Sequence, residues 1–246
     1  MSFGPFESTF ASLLGEHHAG SGLELHVVLG DSPDLSRLSH RLNSAGLSVV
    51  QLDEDDDLAS LNRALQSSRQ AAPASLDALH LYGHGSSGVF QLGRDAITGS
   101  NLSHYQSGLR ALGEALKPDG DVLLYACDLA SGDLGEDLIR GLARATDADV
   151  AASDDRTGAS WLGGDWQLEH VVGAVDVQPL SGATLDWSGT LGVLQEPVRL
   201  KSVDGVLDVT LRAHRGSQQI EVADPSQPLK PGKLKDVKGF MTYAWQ

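Results

Sequence analysis

The chain has 246 residues, 41% of them apolar and 21% charged, enough apolar material for one or two cored domains of roughly 150 residues and too much for a disordered chain. A formal charge of −15 excludes a general nucleic-acid binder, which needs a basic surface to displace phosphate counterions. No apolar run approaches the roughly 20 residues of a membrane helix, and the single cysteine, Cys127, excludes an intrachain disulfide or a zinc site built on cysteine pairs.

Residues 1–22 read as an N-terminal extension, and the first fifteen lack the basic start and long apolar run of a signal peptide. Alternation of short apolar runs and helical periods then begins. Residues 23–29 predict a strand closed by Gly30-Asp31-Ser32-Pro33. Ser32 or Asp34 can cap a helix over 34–45, with Leu35, Leu38 and Leu42 on one face and Gly46 as its stop. A strand over 47–52 leads into the acidic run Asp53-Glu54-Asp55-Asp56-Asp57, which reads as a solvated loop with acids at a helix N-terminus. A helix over 57–70, a strand over 76–82, a short strand over 89–92 and a helix over 102–116 follow. Lys117-Pro118-Asp119-Gly120 ends that helix; a strand over 121–126 stops at Cys127. A helix over 133–146 precedes a last core strand from 149. Strands alternating with helices predict an α/β domain with a mostly parallel sheet between two helical layers.

In such sheets ligands bind beyond the carboxyl ends of the strands. Three polar turns fall there: residues 82–88, 126–132 and 153–158. They carry His84 and Cys127 after successive core strands. An imidazole beside a thiol is the minimum for nucleophilic acyl transfer. Gly85 and Asp128, next to these residues, supply candidate backbone N–H groups for a developing oxyanion. The plainer alternatives are a small buried cysteine and a histidine bonding a loop carbonyl. His80 lies inside its strand and reads as a core or supporting residue. Gly83, Gly85 and Gly88 match a dinucleotide-binding spacing, but residues 89–92 read as strand where that site needs a helix.

An apolar strand ending in His-Gly followed by one ending in Ala-Cys resembles the caspase, gingipain, legumain and separase group of cysteine peptidases. The residues are Gly83-His84-Gly85 and Leu124-Tyr125-Ala126-Cys127. Over residues 24–190 the chain more closely resembles the bacterial domain of unknown function 4347, through these motifs with Gln91-Leu92-Gly93, residues 151–158 and residues 163–169. The resemblance implies a caspase-like three-layer sandwich, with Cys127 as nucleophile and His84 as general base. It also implies a pocket lined by Asp154 or Asp155 that would favour a basic residue before the cut. The alternative for these two acids is capping of their own turn or pairing with Arg156. No metal or cofactor is implied. The expected partner is a peptide or protein, including the chain's own downstream part, and the family resemblance suggests an extracellular or cell-surface setting.

The chain changes character near Pro197. Residues 197–246 hold eight Lys and Arg against five Asp and Glu, so residues 1–196 carry −18. The pattern becomes strand-only, with strands over 198–202, 206–213 and 219–222. The expected organisation is the α/β domain over 23–190, a linker over 191–196 and a β segment over 197–246. Residues 198–211 and 240–246 resemble parts of a multicopper oxidase cupredoxin domain, with no His-x-His copper ligands, and read as a truncated cupredoxin-like segment. Two functions follow: a cysteine peptidase that processes itself or another chain, or a non-catalytic targeting or interaction module ahead of a secreted oxidase or adhesin.

Overall fold

In a computed structural model, residues 23–71, 75–180, 185 and 187–192 are described, with the backbone of three short strands further on. Two compact units meet in the chain at Leu191 and Gly192.

The first unit is the expected three-layer α/β sandwich. Its sheet comprises β1 (Glu24–Leu29), β2 (Val49–Leu52), β3 (Leu76–Tyr82), β7 (Leu116–Tyr125), β8 (Asp149–Ala152) and β9 (His170–Val172), ordered β2-β1-β3-β7-β8-β9. Only β9 runs antiparallel to its neighbour. The strands are nearly continuous apolar runs because both faces are covered. Helices α1 (Pro33–Ser44), α2 (Leu58–Ala71), α3 (Leu102–Gly113) and α4 (Gly132–Thr146) connect them. Ser32 caps α1 through its hydroxyl, as the sequence indicates.

The strand period of two sorts side chains to the two faces. Leu25, Val27, Leu79, Leu81, Val122 and Leu124 join an aliphatic core with residues of α2, α3 and α4. Val28, Tyr82, Leu123, Tyr125 and Cys127 join a second core with Leu35, Leu38 and Leu42 of α1 and with Trp166, Trp187 and Leu191.

Three departures from the sequence reading have local causes. The helix expected to reach 116 ends at Gly113, where a Cβ would strike the Thr146 carbonyl, and Leu116 already pairs with Leu76 at the start of β7. Residues 89–92 do form a strand, within a small antiparallel sheet of β4 (Gly85–Ser86), β5 (Val89–Leu92) and β6 (Asp95–Thr98). The acidic loop is more than solvated. Asp57 accepts from the Ser60 N–H at 2.8 Å and pairs with Arg94 in the β5–β6 turn, and Arg94 N donates to Asp56 O at 2.9 Å.

The second unit contains an antiparallel sheet of β10 (Val198–Lys201), β11 (Asp208–Ala213) and β12 (Ile220–Ala223). The N-terminal extension, most of the expected linker and residues 240–246 lie outside the described residues.

Candidate active site

The site lies at the carboxyl ends of β3 and β7. Tyr82 pairs with Tyr125 in the parallel register, so His84 and Cys127 each lie two residues beyond a paired position on neighbouring strands. Gly83 N donates to Tyr125 O at 3.1 Å and holds the two chain ends together. Gly85 has no room for a side chain: a Cβ would come within 2.7 Å of the Ala126 Cβ and 3.3 Å of the Cys127 carbonyl. The Gly-His-Gly sequence is therefore what lets the β3 end lie against the β7 end.

His84 is half-buried, and its Nε2 lies 3.4 Å from the Ser32 hydroxyl at the start of α1. Cys127 is 2% exposed, and its Sγ donates to the Thr157 carbonyl at 3.5 Å. Burial pushes the thiol up to about 12. The Thr157 backbone contact, Arg156 and the Leu191 backbone oppose the rise, and Asp128 adds to it. The open cleft implied by the strand-end positions is therefore a closed one, and the thiol is protonated at neutral pH.

The closure comes from the chain itself. Thr157 and Gly158 follow β8, and the segment ending in Leu191 runs beside them. Ala159 N donates to Gly189 O at 2.9 Å, Leu191 N to Thr157 O at 3.0 Å, and Gly158 bridges antiparallel to Thr190. Gly158 has φ 141, and a Cβ there would meet the Gly189 carbonyl at 2.5 Å. Leu191 has 0% exposure. It belongs to the folded unit rather than to the linker where the sequence pattern put it, because its side chain completes the second core.

The two backbone donors differ in fate. Gly85 N donates to the Leu191 carbonyl at 3.2 Å, whereas Asp128 N donates at 2.5 Å to the Asp155 carbonyl in the turn after β8. Asp128 adopts φ 56, a left-handed conformation that aspartate tolerates. Asp154 and Asp155 are both exposed. Asp154 N donates to Glu169 at 3.1 Å, and the Asp155 carbonyl also accepts from the Ser153 hydroxyl at 3.2 Å. Both contacts are made by backbone atoms of these residues, so it is the Glu169 carboxylate and the Ser153 hydroxyl that hold the turn. Thr157 lies in the strand-end turn over 153–158 but drew no role of its own, and Leu191 stood out in no sequence motif; the one available signal for it was Gly189-Thr190-Leu191 as an apolar end to a small-residue turn.

A profile of the family described as domain of unknown function DUF4347 matches residues 27–191. The chain belongs to the DUF4347 family. No curated protein matches it. Among solved structures it is similar to a secreted C11 cysteine protease from Bacteroides thetaiotaomicron, solved in complex with an irreversible peptide inhibitor. The identity is 14% and the TM-score 0.33, over 55% of this chain and 49% of that one. The chain thus spans about half the length of that protein, and at this score the likeness carries no argument about the site. The family match ends at residue 191 and lends the cupredoxin resemblance no support.

Among the described residues of this DUF4347 domain, two groups bring possible metal donors within 4.8 Å of one another: Glu24 with His26 and His80, and Asp155 with Asp165 and Glu169. Internal hydrogen bonds occupy the first. His26 Nδ1 lies 2.8 Å from the Tyr82 hydroxyl, and His80 reaches Glu24 at 3.1 Å and Tyr125 at 3.4 Å. The second group is a cluster of acids at the surface, where burial and then Asp165 and Glu169 raise the Asp155 carboxyl. Beside this cluster is a groove of about 810 Å³ lined by Ala159, Trp161, Trp166, Leu168, Leu180 and Trp187 among others; Trp161 is 70% exposed in it.

Proposed function

We propose that the DUF4347 domain of this chain is a cysteine peptidase in which Cys127 attacks a peptide carbonyl and His84 handles the proton. The observation that carries this reading is the placement of both residues two positions beyond the Tyr82–Tyr125 pair on adjacent parallel strands, beside a Gly85 N–H already bonded to a peptide carbonyl. Proton transfer from Sγ to His84 gives the thiolate, which adds to the carbonyl carbon. The oxygen gains negative charge next to the Gly85 N–H. His84 returns the proton to the departing amine as the C–N bond breaks, and water then hydrolyses the thioester to a carboxylate and the free thiol. An extracellular or cell-surface setting belongs to this proposal.

The buried, protonated thiol favours a second reading, a non-catalytic interaction module. A peptidyl acyloxymethyl ketone separates the two. Covalent labelling of Cys127 that is lost in His84→Ala supports the peptidase. A folded protein that the reagent leaves unmodified supports the module.

A further inference from the structure

We infer that the bond this site is built to cut is Leu191–Gly192 of its own chain, an inference that rests on the peptidase reading above. Peptidases commonly hold substrates as an added strand, with main-chain hydrogen bonds fixing position and a pocket selecting the side chain. Residues 189–191 are held in that way. Gly189 O accepts from Ala159, Leu191 N donates to Thr157 O, and Thr190 bridges antiparallel to Gly158. The Leu191 carbonyl then accepts from Gly85 N at 3.2 Å. That carbonyl belongs to the Leu191–Gly192 peptide bond, and its donor directly follows His84.

The nucleophile shares this seat. The Thr157 carbonyl that accepts from Leu191 N also accepts from the Cys127 thiol. The Leu191 side chain and Cys127 lie in one buried cluster. The Thr157 hydroxyl is buried there and has no hydrogen-bond partner among the described residues. The close approach of the segment depends on Gly158, where any Cβ would collide with it.

The position in the chain agrees with the chemistry. The division between the two compact units falls between Leu191 and Gly192, and the family match ends at residue 191. Cleavage there separates the DUF4347 domain from everything after it. An apolar residue rather than a basic one precedes the cut, because the Leu191 side chain is enclosed in the same apolar cluster as Cys127, and Asp154 and Asp155 are exposed. The products are a Leu191 carboxylate and a Gly192 amine, with Cys127 and His84 regenerated.

The test uses the whole 246-residue chain, incubated and followed by intact mass and N-terminal sequencing. The expected result is a fragment beginning at Gly192, formed at least about 100-fold more slowly in Cys127→Ala and His84→Ala, the scale for losing a nucleophile or a general base. Circular dichroism of both variants checks that they are folded. In parallel, a Ser-Gly-Thr-Leu acyloxymethyl ketone, copying residues 188–191, is offered to the uncut chain. A Cys127-dependent cut at another bond overturns the inference and leaves the peptidase standing. So does labelling of Cys127 by the ketone without any cut. A cut at Leu191–Gly192 that persists in Cys127→Ala overturns the inference, and absence of both cut and label in folded protein overturns the peptidase reading with it.

Discussion

On one face of the central sheet, Leu25, Val27, Leu79, Leu81, Val122 and Leu124 meet three helices. On the other, His26, His80, Tyr82, Tyr125 and Cys127 meet one helix and a stretch of irregular chain that includes residues 175–180 and 187–191. Helices satisfy their own backbone groups, so they can cover a purely aliphatic surface. Irregular chain brings N–H groups that need partners. The second face supplies them from buried polar side chains. Leu180 N donates to the Tyr125 hydroxyl at 2.7 Å, and Asp176 N and Val177 N both donate to one oxygen of Asp121 at 3.0 Å. The same face stacks Tyr82 on Tyr125 at 4.6 Å and His26 on His80 at 4.2 Å. Polar residues of this face therefore anchor the chain at Asp176, Val177 and Leu180, ahead of the residues that close the Cys127 site.

If that division is right, acid should attack the second face. Burial, then the charge of His80, pushes His26 down to about 3 from 6.5. As pH falls below 6.5 the unfolded chain takes up this proton and the folded chain does not, so stability is full above about 6.5 and is lost towards 3. At roughly 1.4 kcal/mol per unit the loss is about 4 to 5 kcal/mol. Urea unfolding at stepped pH should show this slope, reduced in His26→Gln; equal slopes in both proteins would remove His26 from the account.

Leu79→Ala tests the aliphatic face. Leu79 is fully buried in the central strand β3, and the lost contacts and the cavity should cost about 3 kcal/mol. Its effect should appear as global destabilisation in urea, with Cys127 no more reactive to a small alkylating reagent under native conditions. Early Cys127 labelling in this variant would show that the two faces do not act separately.

Asp121→Ala should lower stability by about 2 kcal/mol, since the N–H groups of Asp176 and Val177 lose their shared acceptor. Here the local signature matters more than the total. Hydrogen exchange at Asp176 and Val177 should rise, and Cys127 alkylation should accelerate. Unchanged exchange at both amides would mean that Asp121 does not anchor the segment.

The smallest effect is expected of Tyr125→Phe, about 1 kcal/mol for a hydroxyl that accepts from Leu180 N and lies 3.4 Å from His80 Nδ1, with the ring stack kept. Faster exchange confined to residues near Leu180 would place the anchoring in the hydroxyl; a loss matching Asp121→Ala would place it in the stack.

Much of this was readable in the residues. Helix α1 follows from Leu35, Leu38 and Leu42 with the Ser32 cap, and the parallel sheet from apolar runs separated by helical periods. Cys127 and His84 were legible as strand-end residues, because strand length and order fix which residue comes next. The Asp154–Asp155 turn was legible as a turn, and both residues are exposed in it.

The sequence by itself determined the alternation of strands and helices, the chain boundary of charge near Pro197, and the placement of a thiol and an imidazole just beyond the carboxyl ends of two core strands. These rest on local periodicity, which a short window of residues contains. Only the tertiary structure decided that the thiol is buried, that Asp128 N–H is spent on Asp155, and that Leu191 lies against Thr157 and Gly85. Those outcomes depend on which segments, 27 to 106 residues apart in the chain, meet around Cys127. No local pattern encodes that meeting, because its hydrogen bonds are made by backbone groups that every residue carries.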